Sequence, residues 1–212
     1  MSLIEIAAVI TTALGVWLQA RRSLWNFPLA LAGTALYMWV FFDAKLYSDM
    51  LLQILFAVTM IYGWVHWSQG VVPDGTIAVV VPPRGELARG LAGGSLGIVC
   101  LGYPMAHYTN AAAPWLDATL TSYSFVASLW LARCYIENWW VWIALDVVYV
   151  GLYVAKGLYP TAALHAGLLI LCCYALLQWR RALLQQRLAQ QGREPSQPTP
   201  AAAQRLVGEA QP

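Results

Sequence analysis

The sequence repeats many of its polar and aromatic residues at an interval of 112 positions. The matched pairs are Arg21 with Arg133, Asn26 with Asn138, Tyr37 with Tyr149, Leu46 with Leu158, Tyr47 with Tyr159, Tyr62 with Tyr174 and Trp67 with Trp179. A repeat of this kind predicts two related structural units in one chain. When such units lie in a membrane, the space between them is a common path for a transported molecule.

The composition places most of the chain in lipid. Of its 212 residues, 60% are hydrophobic and only 10% are charged, whereas a soluble domain carries about 25% charged residues. Seven apolar stretches approach the roughly 20 residues that a helix needs to cross a bilayer. They cover residues 3–19, 25–42, 48–68, 87–106, 117–134, 138–155 and 160–179. The sequence therefore predicts an all-α integral membrane protein with seven transmembrane helices.

The repeat sorts these seven predicted spans. Spans one to three match spans five to seven, which leaves span four as a linking helix. An odd number of helices between the halves gives both the same orientation, so we expect two parallel three-helix repeats. The predicted domains are a first repeat at 1–68, a cytoplasmic loop and linking helix at 69–113, a second repeat at 114–179 and a largely disordered cytoplasmic tail at 180–212.

Basic residues are distributed unevenly between the two predicted sides of the membrane. All ten arginines fall on one side, and only Lys45 and Lys156 fall on the other. By the positive-inside rule the arginine side is cytoplasmic, which places the N-terminus outside and the C-terminus inside. We therefore expect a multi-pass protein of the cell (inner) membrane, with the lipid bilayer as a partner.

The densest group of candidate binding residues begins at Asn138. Four residues in this group are spaced at steps of three or four, so they share one face of a helix: Trp139, Trp142, Asp146 and Tyr149. Asp146 lies roughly 12 Å into its span, at a depth where an acid costs about 2.5–3.5 kcal/mol. Tryptophans beside a buried carboxylate suit a flat cationic ring, through stacking and cation–π attraction. The alternative is an interfacial tryptophan belt, with the acid hydrogen-bonded to a neighbouring helix.

Polar residues in other spans are further candidates for substrate binding. Thr34 in span two is the repeat counterpart of the buried acid. Thr121 and Ser124 in span five offer hydroxyl groups to a ribose or an alcohol, although such groups commonly bond to carbonyls of their own helix. Gln53 and His165 are counterparts in spans three and seven. They are candidates either to face a pore or to bond between helices.

Several other functions lack the residues that they require. The sequence contains no HExxH, GxSxG or Walker-type motif, so we expect no enzymatic activity. Its four cysteines form no CxxC pair, so we expect neither a metal site nor a cofactor. No nucleic-acid partner is expected. A retinal photoreceptor needs a lysine in its last helix, whereas both lysines fall in predicted loops. A non-transporting membrane scaffold stays open as an alternative.

Motifs in both halves resemble those of the PnuC-type vitamin transporters. In the second half they are PWLD at 114–117, YIENWWVW at 135–142 and KGLY at 156–159. In the first half they are LYSD at 46–49, LQ at 52–53, and IYGW at 61–64 with Trp67. The motifs occur in order, and the resemblance covers residues 1–180.

This resemblance implies a three-plus-one-plus-three helix fold like that of the SWEET sugar transporters, assembled as a homotrimer. It implies facilitated diffusion of nicotinamide riboside, which a cytoplasmic kinase then traps by phosphorylation. The Trp-x-x-Trp pair of the family falls on Trp139 and Trp142. The polar position four residues later falls on Asp146, where many nicotinamide riboside members have Asn. Related members carry thiamine or riboflavin, and an ionised Asp146 would favour the two cationic vitamins over neutral riboflavin.

Overall fold

The computed structural model describes residues 3–43, 47–71, 77–109 and 113–191. Within these ranges the helices are α1 Leu3–Ala20, α2 Asn26–Asp43, α3 Tyr47–Gln69, α4 Arg84–Tyr108, α5 Pro114–Ala132, α6 Asn138–Ala155 and α7 Tyr159–Gln191. Each overlaps one apolar run, so the prediction of an all-helical chain with seven helices is confirmed. Residues 180–191 of the predicted tail continue α7, whereas Lys45, Leu46 and residues 192–212 lie outside the described residues.

Two helices in the described part of the chain, α6 and α7, are long and apolar enough to cross a bilayer. Shorter apolar helical stretches occur at Ile10–Ala20 and Asn26–Leu36. Only 22% of the apolar window of α6, and the same share of that of α7, is buried inside the protein. Such exposure is unlike the core helix of a soluble protein and suits contact with lipid. Helices α4 and α5 are less apolar than α6 because they carry several Gly, Ser and Thr residues.

The turns before α2 and α6 have the same local structure. The two helices begin at Asn26 and Asn138, which are 112 residues apart. Each asparagine amide donates a hydrogen bond of 2.6 Å to the carbonyl three residues earlier. Each turn also contains a residue with positive φ, Arg22 at 56° and Cys134 at 60°. Burial raises the pKa of the Cys134 thiol to about 12, so this thiol stays protonated at neutral pH.

Reciprocal tryptophan hydrogen bonds join the two halves. The indole N–H of Trp67 in α3 donates to the carbonyl of Leu131 in α5 at 3.1 Å. The indole N–H of Trp179 in α7 donates to the carbonyl of Gln19 in α1 at 3.2 Å. Donors and acceptors are both separated by 112 positions. Both indoles are fully buried, so burial shields these bonds between the halves from competition by water, more completely at Leu131, which is buried, than at Gln19, which is half-buried.

Helix α4 has a different place from the other six. In the helix packing of the described residues, α4 contacts α5 alone, whereas α3 also contacts α5 and α7 also contacts α1. Its glycines allow this close approach: a Cβ atom added at Gly90 would lie 2.5 Å from the ring of Trp130, and one at Gly94 would lie 2.8 Å from the ring of Tyr123. These contacts place α4 at the periphery of the bundle.

An extended segment, residues 77–80, connects the turns of the two halves. Arg22, in the turn before α2, donates from Nη1 to the carbonyl of Ile77 at 2.8 Å. Val80 forms a parallel bridge with Tyr135 in the turn before α6. Backbone hydrogen bonds of 2.9 and 3.1 Å make this bridge. The 77–80 segment therefore braces one end of the bundle.

Candidate functional site

A cavity of about 580 Å³ lies between the two halves, within the range of about 300–1,000 Å³ that is typical of small-molecule sites. It is lined by residues of α1 between 11 and 19, of α2 between 26 and 39, of α3 between 53 and 60, of α5 between 128 and 132, of α6 between 139 and 149, and of α7 between 165 and 172. Helix α4 contributes none of the described lining residues. The two halves therefore enclose the cavity together.

Seven of the ten predicted site residues line this cavity. They are Thr34, Gln53, Trp139, Trp142, Asp146, Tyr149 and His165. The other three are not among the described lining residues. Asn138 is fully buried, and its amide donates to the carbonyl of Tyr135. Thr121 and Ser124 lie on α5, where Ser124 is buried and its carbonyl accepts from the hydroxyl of Ser128 at 2.8 Å.

Asp146 links α6 to α7 at the cavity wall. Its Oδ1 accepts a hydrogen bond from Nδ1 of His165 at 2.9 Å, and its Oδ2 accepts one from Sγ of Cys172 at 3.7 Å. The side chain is only 6% exposed, so these partners replace the water that a carboxylate would otherwise need. Asp146 thus bonds to a neighbouring helix, as the alternative interpretation expects, and it also lines the cavity.

Two tyrosines stack on the imidazole of His165. The ring of Tyr149 lies 4.4 Å from it at an interplanar angle of 25°, and that of Tyr153 lies 5.3 Å away at 24°. An ionised carboxylate can only accept hydrogen bonds, so Nδ1 of His165 carries a hydrogen whenever Asp146 is ionised. The stacked rings and this bond fix the orientation of the imidazole.

The tryptophans contribute an aromatic wall. Trp139 is almost fully buried and packs edge-to-face on Trp179, with ring centroids 5.5 Å apart. Its indole N–H has no hydrogen-bond partner among the described residues. Trp142 is partly buried against the same cluster and lines the cavity. Trp142 therefore offers the more accessible ring face of the two.

The same three repeat positions are occupied by charged or ionisable groups in one half and by neutral groups in the other. In the second half they are Asp146, His165 and Cys172, here named the charged face. In the first half they are Thr34, Gln53 and Met60, here named the neutral face. The same two positions are in contact in both halves, with the donor reversed: the hydroxyl of Thr34 donates to Sδ of Met60 at 3.6 Å, whereas Sγ of Cys172 donates to Asp146. The cavity is symmetric in its frame and asymmetric in its charge.

Sequence reasoning missed several lining residues. Gln19, Asn26 and Met60 line the cavity, and the side-chain oxygen of Asn26 is buried with no described hydrogen-bond partner. Asn26 matches Asn138 in the repeat. Such a match indicates that the two residues have the same place in their halves, but it does not show which of them lines a cavity. Spacing along one helix gives no signal for contacts made across the two halves.

The family model for nicotinamide mononucleotide transporters matches residues 2–181 of the chain. The chain belongs to this family. The resemblance to PnuC-type transporters is thereby confirmed, and membership of the nicotinamide mononucleotide transporter family identifies a membrane protein. It also agrees with the expectation that the chain is not an enzyme.

Proteins similar to this chain have names that refer to different vitamins. The nicotinamide riboside transporter PnuC of Escherichia coli is 26% identical over 184 residues, which cover 75% of this chain and 77% of that protein. The riboflavin/roseoflavin transporter RibM of Streptomyces davaonensis is 30% identical over 156 residues, 72% of this chain and 71% of that one. A crystal structure of the vitamin B3 transporter PnuC superposes with a TM-score of 0.70 at 19% identity, covering 87% of this chain and 83% of that one. This last likeness concerns the fold.

Proposed function

We propose that the chain carries nicotinamide riboside, a cationic vitamin precursor, into the cell through the cavity between its halves. The observation that carries this proposal is the charged face beside Trp142. A buried carboxylate and an accessible indole attract a flat pyridinium ring by charge and by cation–π contact. Across the cavity, Thr34 and Gln53 offer hydroxyl and amide groups that suit the ribose. The similarity to proteins named nicotinamide riboside transporters supports the same substrate.

The architecture that we propose has two parallel three-helix repeats, α1–α3 and α5–α7, with α4 as the linking helix. This is the three-plus-one-plus-three arrangement of the SWEET transporters. Helix starts 112 residues apart, the reciprocal tryptophan bonds and the peripheral place of α4 support it. Substrate would then cross as the halves rock about the cavity.

We also propose the orientation that the basic residues predict, with the N-terminus outside and the C-terminus in the cytoplasm. Arginines of both halves lie near the same end of the bundle. Arg22 bonds to the 77–80 segment, and Arg133 forms an ion pair of 3.1 Å with Glu86 at the start of α4. A common basic end is what the positive-inside rule expects of the cytoplasmic side. The proposed location is the cell (inner) membrane, and the proposed assembly is a homotrimer.

Riboflavin is a second candidate substrate because RibM is 30% identical to this chain. Thiamine is a third, since it is a cation like nicotinamide riboside. The carboxylate of Asp146 supports the cations, because it would gain no charge attraction from a neutral flavin. A non-transporting scaffold would have no need of an aromatic cavity with a charged wall.

Calorimetric titration of the purified protein with nicotinamide riboside, thiamine and riboflavin tests these candidates. We expect heat and saturation with nicotinamide riboside, and weaker binding of riboflavin. Tight thiamine binding without a response to nicotinamide riboside would transfer the proposal to thiamine. Tight binding of riboflavin alone would instead align the chain with RibM, and failure to bind all three would favour the scaffold.

A further inference from the structure

The charged face holds one carboxylate and one imidazole. Among the described residues that line the cavity, Asp146 is the one carboxylate and His165 the one imidazole, and there is no Lys or Arg. The two side chains are joined by the 2.9 Å bond between Oδ1 and Nδ1. The charge that this cavity presents to a ligand therefore depends on the protonation of a single pair.

The pair has two charge states with Asp146 ionised. When the imidazole of His165 is neutral, Nδ1 holds its hydrogen, Nε2 is an acceptor and the pair carries one negative charge. When the imidazole is protonated, Nε2 becomes a donor and the pair is electrically neutral. A pyridinium ring gains charge attraction only from the first state.

The other described groups around His165 add no charge to the pair at neutral pH. Helix α7 packs on α6 and α1. The titratable neighbours are Asp146, Tyr149 and Tyr153 from α6 and Cys172 from α7 itself. The described lining residues of α1 contribute hydroxyl and amide groups but no ionisable one. Asp117 of α5 is not among the lining residues. Tyrosine and cysteine are ordinarily uncharged at neutral pH, which leaves the imidazole of His165 as the neighbouring group able to carry a positive charge.

We infer that protonation of His165 and binding of a cationic substrate compete at this cavity, which makes His165 a specificity-determining residue. The inference rests on the proposed function, because it takes the cavity as the substrate site. In molecules whose His165 is protonated, binding of a cation releases that proton from the imidazole to water, and binding of a neutral ligand releases none. A cationic vitamin therefore binds more tightly as the pH rises, whereas a neutral one of the same shape does not.

The first test is calorimetry on the wild-type protein between pH 5.5 and pH 8.0. Competition with one proton changes a dissociation constant by at most about tenfold per pH unit. We expect nicotinamide riboside to bind more tightly at pH 8.0 than at pH 5.5, because the fraction of protonated imidazole falls as the pH rises. Titrations at pH 6.5 in two buffers of different ionisation enthalpy should show release of a fraction of a proton. The uncharged dihydropyridine form of the riboside is the matched ligand, and its affinity should stay constant.

The second test uses variants that the repeat itself suggests. His165→Gln installs the residue found at the equivalent position of the neutral face, Gln53, which cannot titrate. We expect this variant to bind nicotinamide riboside with the same affinity at both pH values. His107→Gln is the matched control, because His107 lies on α4 away from the cavity, bonded to the carbonyl of Tyr103 at 2.9 Å. The control should keep the wild-type pH dependence.

The outcomes separate this inference from the function on which it rests. Absence of nicotinamide riboside binding at pH 8.0 would overturn the proposed function, and the inference with it. Binding of constant affinity from pH 5.5 to 8.0, without proton release, would overturn the inference alone. A His165→Gln variant that keeps the wild-type pH dependence would also refute it. If that variant does not fold, the wild-type proton release and the neutral ligand still decide.

Discussion

Trp142 and Ala30 show how one residue changes the use of a shared position. The two are repeat counterparts, and both line the cavity. The indole fills space and provides a π face, whereas the alanine leaves room on the opposite side. At this pair of positions the second half therefore offers an aromatic face, and the first half leaves space for the rest of a bound ligand.

Replacement of Trp142 by alanine should weaken the binding of nicotinamide riboside. Loss of stacking and cation–π attraction is worth about 0.5–2 kcal/mol, or about 2- to 30-fold in the dissociation constant. Calorimetry would measure the change. Trp140→Ala is the matched control, because Trp140 is on the same helix but is exposed and contacts Arg180 rather than the cavity. Equal effects of the two substitutions would contradict the proposed role of Trp142.

Helix α4 packs closely on α5 through its glycines. Gly90 faces the ring of Trp130, and a methyl group there would meet ring atoms at 2.5 to 2.8 Å. We expect Gly90→Ala to destabilise the protein by about 1–3 kcal/mol through overpacking. At Gly93, on the same helix, an added Cβ meets nothing within 4 Å. Gly93→Ala should therefore be neutral or slightly stabilising. Thermal unfolding in detergent compares the two, and a Gly90→Ala protein as stable as Gly93→Ala would count against this packing.

The last turns of α7 pack against the 77–80 segment. With the amide of Gln186 oriented to satisfy both atoms, it donates to the carbonyl of Val79 at 3.2 Å and accepts from its N–H at 3.0 Å. Val79 is buried, so removal of the amide leaves two of its backbone groups without partners. This loss costs about 1–3 kcal/mol of folding free energy.

Gln186→Ala should accordingly lower the unfolding temperature. Gln185→Ala, at the exposed neighbouring position, should leave it unchanged. If both variants had the unfolding temperature of the wild type, the 77–80 segment would not depend on α7.

Removal of residues 192–212 should leave binding of nicotinamide riboside intact, since the cavity lies entirely within the helices.

Much of this helical framework follows from the sequence, and the reason is local. Apolar runs predict the presence and order of the seven helices, because that signal lies within each helix, but they miss the last twelve residues of α7, which are polar and basic. The 77–80 segment was not foreseen, since its hydrogen bonds join it to Arg22 and Tyr135, far away in the chain. Asp146 and His165 were each selected from sequence, but their bond depends on how α6 packs on α7. That contact is a tertiary property with no sequence signature.

At the scale of the whole molecule, the proposed facilitator should equilibrate its substrate without an ion gradient. In vesicles containing the purified protein, we expect uptake of nicotinamide riboside to stop when the inside and outside concentrations are equal. Encapsulation of a riboside kinase with ATP should let total uptake pass that limit, because phosphorylation removes the free riboside. Uptake that required an imposed proton or sodium gradient would instead show obligatory coupling. Protein-free vesicles supply the background rate.

The reciprocal indole bonds between the halves have an evolutionary consequence. Each tryptophan donates to a main-chain carbonyl, and every amino acid supplies that acceptor. The accepting residues have in fact diverged, since one is Gln19 and its counterpart is Leu131. Mutations at the joint between duplicated halves could therefore accumulate without breaking it. A gene duplication held together in this way leaves each copy free to drift, and here one of the two copies has a charged wall while the other does not.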